Sequence, residues 1–201
     1  GNLTVTRTRI SGNRAGGGVT MYGFGGGIAN HSQGTLTLRR SVVTGNRAVV
    51  TVPNGRFTDG GGIADNGVLT IEDSVVSDNS SEVSSSVAST FPFDEQLANA
   101  GGIYITGSAT ISDTTIGGNS ARSSNLVGDA HAAAGGIDSD GSLVLGRSRL
   151  VDNEVDASVP PSSTSAAVAT IGGIEGQGLT TVRDSQISRN SATAVSPAGT
   201  V

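Results

Sequence analysis

Asp138, Asp140 and Glu175 are the side chains whose type and spacing best suit chemistry. Asp138 and Glu175 each follow the Ile of a Gly-Gly-Ile triplet. If the triplets stack as neighbours, the two carboxylates lie roughly 5 Å apart, the separation with which a retaining glycosidase flanks its scissile bond. The supporting groups are missing from the sequence pattern. The equivalent positions of earlier triplets hold Ala29, Ala64 and Tyr104, the chain has no Lys, no Arg falls on that segment, and neither His31 nor His131 is placed within it. Asp138-Ser139-Asp140-Gly141 matches half of a calcium loop but lacks further oxygen ligands, and it reads equally as a turn before a strand. The glycine clusters at 16–18 and 25–27 precede no helix, so they are turn glycines and not a phosphate cradle. No nucleophile-elbow, zinc-protease or P-loop motif occurs. The expectation is that the three acids are not catalytic, with no metal and no cofactor.

The elements that would position these residues follow from an internal repeat. Gly-Gly-Ile recurs at 26–28, 61–63, 101–103, 135–137 and 172–174, and an aliphatic-x-x-Asn pattern ends at Asn13, Asn46, Asn79, Asn119, Asn153 and Asn190. Between these anchors lie alternating segments such as Leu36-Thr37-Leu38 and Leu69-Thr70-Ile71, and a period of two means strand. Units this short bury no apolar face alone, so they must stack, one unit per coil, about 4.8 Å apart. The expected fold is all-β: a right-handed parallel β-helix, or β-solenoid, of about five to six coils, each with three short strands and long loops emerging at one corner. Residues 1–201 are expected to be a single domain, part of a longer chain or of an end-to-end assembly, since neither end reads as a capping segment.

The predicted inward columns are Ile28, Ile63, Ile103, Ile137 and Ile174; Leu38, Ile71, Ile111, Leu145 and Val182; and Val43, Val76, Ile116, Leu150 and Ile187. The Asn column is expected to be a structural ladder of side-chain amides that satisfies buried corner groups. An outward Thr column, Thr4, Thr37, Thr70, Thr110 and Thr181, is the arrangement of an ice-binding face only when doubled. Here it is single, and strand propensity accounts for it.

Composition narrows the partners. With 31 Gly, no Cys, no Trp and a formal charge of −5, the core must be thin, disulfides are excluded and nucleic acid is an unsuitable partner. No apolar run is long enough to span a bilayer as a helix.

The GGI and [V/I/L]-x-x-N pattern resembles the GGA[I/L/V] and F-x-x-N repeats of chlamydial polymorphic outer-membrane proteins and the wider group of bacterial right-handed parallel β-helix repeat proteins. Val, Ile or Leu stands where those proteins have Phe. The resemblance implies a secreted or cell-surface β-helix, commonly an adhesin passenger.

Four linkers join an Asn to the next Gly-Gly: Ala48 to Asp59, Ser81 to Asn99, Ala121 to Ala134 and Val155 to Ile171. Variable loops on a rigid scaffold are where recognition concentrates, so Phe57, Phe91 and Phe93 are the expected binding residues. The expected function is a non-enzymatic extracellular scaffold, adhesin-like or a subunit of a surface layer or fibre. Its partners would be a protein or polysaccharide surface or copies of itself. A polysaccharide lyase or hydrolase is the alternative.

Overall fold

The computed structural model describes residues 1–17, 22–51, 57–85, 96–126, 128–161 and 164–196. They form parallel strands without a helix, stacked as a β-solenoid of about five turns. One coil shows the plan. The chain runs through Ile63–Asp65, Val68–Glu72, Val75–Ser77, Ser80–Ser84 and Gln96–Asn99, and every strand pairs in parallel with its equivalents in the coils on either side.

The three predicted inward columns pair in register as expected. Up to Leu145 and Leu150 they make one core, with Ile174 packed against it, while Val182 and Ile187 in the last coil are exposed. Each of the four complete coils between Ile28 and Ile171 has five strands, however, not three. The two extra strands come from the segments read as linkers: Ser80–Ser84 and Gln96–Asn99 in this coil, Ser120–Ser124 and Ala130–Ala134 in the next. Their buried positions hold Ser81, Val83, Ala98, Ala121, Ser123 and Ala132, small and often polar residues that show little apolar alternation. They fill a second, narrower core with Val50, Val155 and Ala157. The hydroxyls there are satisfied by backbone: Ser81 Oγ donates to Thr58 O at 3.0 Å and Ser123 Oγ to Gln96 O at 3.0 Å. The connections of variable length shrink to the chain between these two strands, and they all join the same two sheets. Phe91 and Phe93 lie outside the described residues.

Two corners are built from left-handed residues. Arg7, Arg40, Asp73, Asp113, Arg147 and Asp184 have φ between 47° and 52°, and the residue before each ladder Asn, from Gly12 to Arg189, lies between 55° and 68°. A single αL residue between short extended segments turns the chain sharply and leaves the next strand free to pair with its neighbours. At the first corner the following Ser or Thr hydroxyl accepts from the backbone N of the preceding coil, as Ser74 Oγ does from Ser41 N at 3.1 Å. Outward, Arg147 clamps Asp113 through two hydrogen bonds of 2.9 and 2.6 Å, and Arg39 pairs with Glu72 at 3.0 Å. Exposed pairs of this kind contribute about 0 to 1 kcal/mol each.

The Asn column is a continuous ladder. Asn46 Nδ2 donates to Asn79 Oδ1, Asn79 Nδ2 to Asn119 Oδ1, and Asn119 Nδ2 to Asn153 Oδ1, at 2.9 to 3.0 Å. The Gly-Gly pairs make room for it: a Cβ on Gly62 would stand 2.9 Å from Asn79 Nδ2 and 2.8 Å from Gly102 O.

Candidate functional site

Where the sheet containing Ile63–Asp65 meets the sheet containing Gln96–Asn99, the outer surface is concave. Three columns reach it, lining it from Leu97 onward. The first is Ala64, Tyr104, Asp138 and Glu175, each on the outward face just after a buried or partly buried Ile, paired Ala64 to Tyr104, Tyr104 to Asp138 and Asp138 to Glu175. The second runs through Asp59 and Asn99, continued by Ala133 and Thr170. The third is Tyr22, Phe57, Leu97, His131 and Val168. The resulting groove encloses about 280 Å³ among Tyr104, His131, Asp138, Asp140, Thr170 and Glu175.

Strand pairing therefore sets Asp138 beside Glu175 on adjacent coils, as the triplets implied. The expectation that their surroundings are empty is corrected. His131 lines the same groove, as do Tyr104 and Asn99, because the segment carrying His131 and Asn99 is strand and not loop. Phe57 is half-buried in the same column as Leu97 and His131 but outside the groove's lining, with its ring stacked on Tyr22 at 5.7 Å.

The electrostatics follow from burial. Asp138 is 4% exposed and its Oδ1 has no hydrogen-bond partner. Burial first, then the nearby charges of Glu175, Asp140 and Asp59, push its carboxyl up to about 7. Asp59 is pushed up to about 6, by burial foremost, against the lowering effect of the bond it accepts from Asn99 Nδ2 at 2.8 Å. Tyr104 Oη donates to Asp140 Oδ2 at 2.9 Å, and its phenol is raised above the ordinary value by burial and by the acids around it. Thr170 Oγ1 donates to Glu175. No Arg lines the groove among the described residues.

Asp138-Ser139-Asp140-Gly141 is strand up to Ser139 and then a turn. Among the described residues no group of three or more His, Cys, Asp or Glu is arranged to hold a metal ion. The Thr column pairs in register, flanked by mixed residues that include the Arg39–Glu72 pair. The residues missed in the sequence carried a signal: Asp59, Asn99 and Thr170 each stand two places before a Gly-Gly, and Leu97, His131 and Val168, like the expected Phe57, four places before. Counting backward from the glycines keeps register where counting forward from the Asn loses it.

No family model, curated protein or solved structure matches the chain.

Proposed function

We propose that the chain is a non-enzymatic, secreted or cell-surface β-solenoid scaffold, adhesin-like, that recognises an extended surface ligand through its groove. The observation that supports this is a division of labour among side chains. The recurring residues (Ile, Asn, Ser/Thr and Gly-Gly) are all consumed by ladders and corners. The side chains that break the repeat, Tyr104, Asp138, Glu175 and His131, gather on one outer face. Rigid ladders hold those side chains at fixed spacing, which lowers the ordering cost of binding. The test is retention of the purified chain on immobilised pectin, alginate, xylan and chitin and on whole cells, with the soluble phase assayed for released sugar. Retention without product fits the scaffold, and loss of all retention counts against it.

One observation favours a second reading, a polysaccharide-active enzyme. Asp138, which holds a proton near neutral pH, stands in register with the carboxyl of Glu175, and a protonated acid beside a second carboxyl is the pairing that glycoside cleavage uses. Turnover that disappears in Glu175→Gln would establish it.

A further inference from the structure

We propose that the groove binds an amino-sugar chain through its protonated amines, with Asp140 and Glu175 as the counter-charges and Asp138 as a hydrogen-bonding group at the floor. This rests on the scaffold reading above and names its ligand class.

Four carboxyl groups crowd this face. Asp140 and Glu175 line the groove with Asp138, while Asp59 lies buried in the adjoining column, close enough to Asp138 and Tyr104 for its charge to be felt by both. Elsewhere on the solenoid six acids are paired with arginine: Glu72 with Arg39, Glu82 with Arg47, Asp113 with Arg147, Asp152 with Arg189, and Glu154 and Asp156 together with Arg122. Among the described residues the groove receives no arginine. An acidic cluster alone would be a solvated face, but Asp138 is not solvated. It lies 96% out of solvent at the groove floor with Oδ1 lacking a donor, and a buried carboxyl oxygen without a donor is costly to keep. What it lacks is a hydrogen-bond partner.

The form of the ligand follows from what else lines the groove. A metal ion is disfavoured by the arrangement of the acids. The groove lies on the outer faces of the two sheets, whose backbone groups bond from coil to coil within each sheet, and the open edges of Ala167–Ile171 and Ile174–Gly176 face along the stack and not into the groove. Recognition must run through side chains. Those present combine an apolar strip (Leu97, Val168), a phenol ring and hydrogen-bonding groups on Asn99, Thr170 and Gln177. Apolar surface for ring C–H groups, polar groups for hydroxyls and carboxylates for an ammonium fit an amino sugar better than a lysine side chain, which carries no hydroxyls.

The experiment is titration calorimetry of the intact chain, at mildly acidic pH, with a β-1,4-linked glucosamine tetramer, the N-acetylglucosamine tetramer and tetralysine. Binding of the glucosamine tetramer is expected, weakened by added salt and weakened roughly tenfold in Glu175→Gln and in Asp140→Asn. Circular dichroism would confirm that both variants keep their strands. Both side chains are more exposed than Asp138, so the test does not depend on Asp138→Asn folding. Equal binding of the N-acetylated tetramer, equal or tighter binding of tetralysine, or indifference to both substitutions would overturn the amino-sugar assignment and leave the scaffold reading in place. Shortened tetramer found by mass spectrometry after the titration would overturn the non-enzymatic reading instead, with the ligand class retained.

Discussion

Asn79 Oδ1 accepts two hydrogen bonds from the residue one coil below it, Asn46: one from the backbone N at 3.0 Å and one from Nδ2 at 3.0 Å. Asn79 Nδ2 in turn donates to Val43 O and to Asn119 Oδ1, both at 3.0 Å. One side chain thus closes the corner of its own stack, caps a backbone carbonyl and passes the same arrangement upward.

Asn119→Leu should therefore destabilise the chain by roughly 1 to 3 kcal/mol for the side-chain bonds it removes from Asn79 N and Nδ2, Val76 O and Asn153 Oδ1. Asn13→Leu, at an exposed rung, should cost clearly less. Urea denaturation midpoints of the two variants decide it, and equal midpoints would remove the ladder's claim to stability.

Gly62→Ala should cost about 1 to 3 kcal/mol, because its Cβ would stand within 3 Å of Gly102 O and Asn79 Nδ2, a backbone group and a ladder rung that have nowhere to move. Gly146→Ala meets nothing within 4 Å and should be neutral or slightly stabilising. Thermal melts of the pair check the contrast.

Ala121→Leu tests the second core. Ala121 is fully buried between Ser81 and Val155 in neighbouring coils, so the added atoms should overpack that core by about 1 to 3 kcal/mol. Were the segment a free linker, the melting temperature would not change.

Stability should depend on pH with a defined sign. Asp138 and Asp59 have folded values of about 7 and about 6 against 3.8 unfolded, so between those limits the folded chain binds more protons. Their contribution is fully present below about pH 4 and is lost as the pH rises to about 7, on the order of 1.4 kcal/mol per unit before the two sites' coupling is discounted. Asp113 and Asp152 are lowered by Arg147 and Arg189 and act oppositely, but only below their ordinary range, as exposed pairs of small weight. Denaturant midpoints should peak at about pH 4 to 5 and fall toward pH 8. Asp138→Asn should flatten that fall, and a wild-type profile that rises from pH 5 to 8 would refute the assignment.

The coil period, the three large-residue columns, the Asn ladder and the Asp138–Glu175 neighbourhood were legible in the sequence for one physical reason. In a stack, residues at equal positions of successive repeats become spatial neighbours, so a one-dimensional pattern reports three-dimensional contact. Ile, Leu and Val at period two reveal which side is inward, and recurring Asn and Gly mark the corners.

The fourth and fifth strands were not legible. Their buried positions carry Ala, Ser and Thr, whose size suits a narrow second core but whose polarity hides the alternation, and connections of unequal length break the count from the Asn. The groove was decided by tertiary structure for the same reason. Asp138 belongs to a strand anchored by Gly-Gly, and His131 to one whose register is set by packing against the neighbouring coils. Only closing the coil brings the two columns to one concave face. It is this closure that buries the Asp138 carboxyl at the groove floor, and burial is the first cause of its raised pKa.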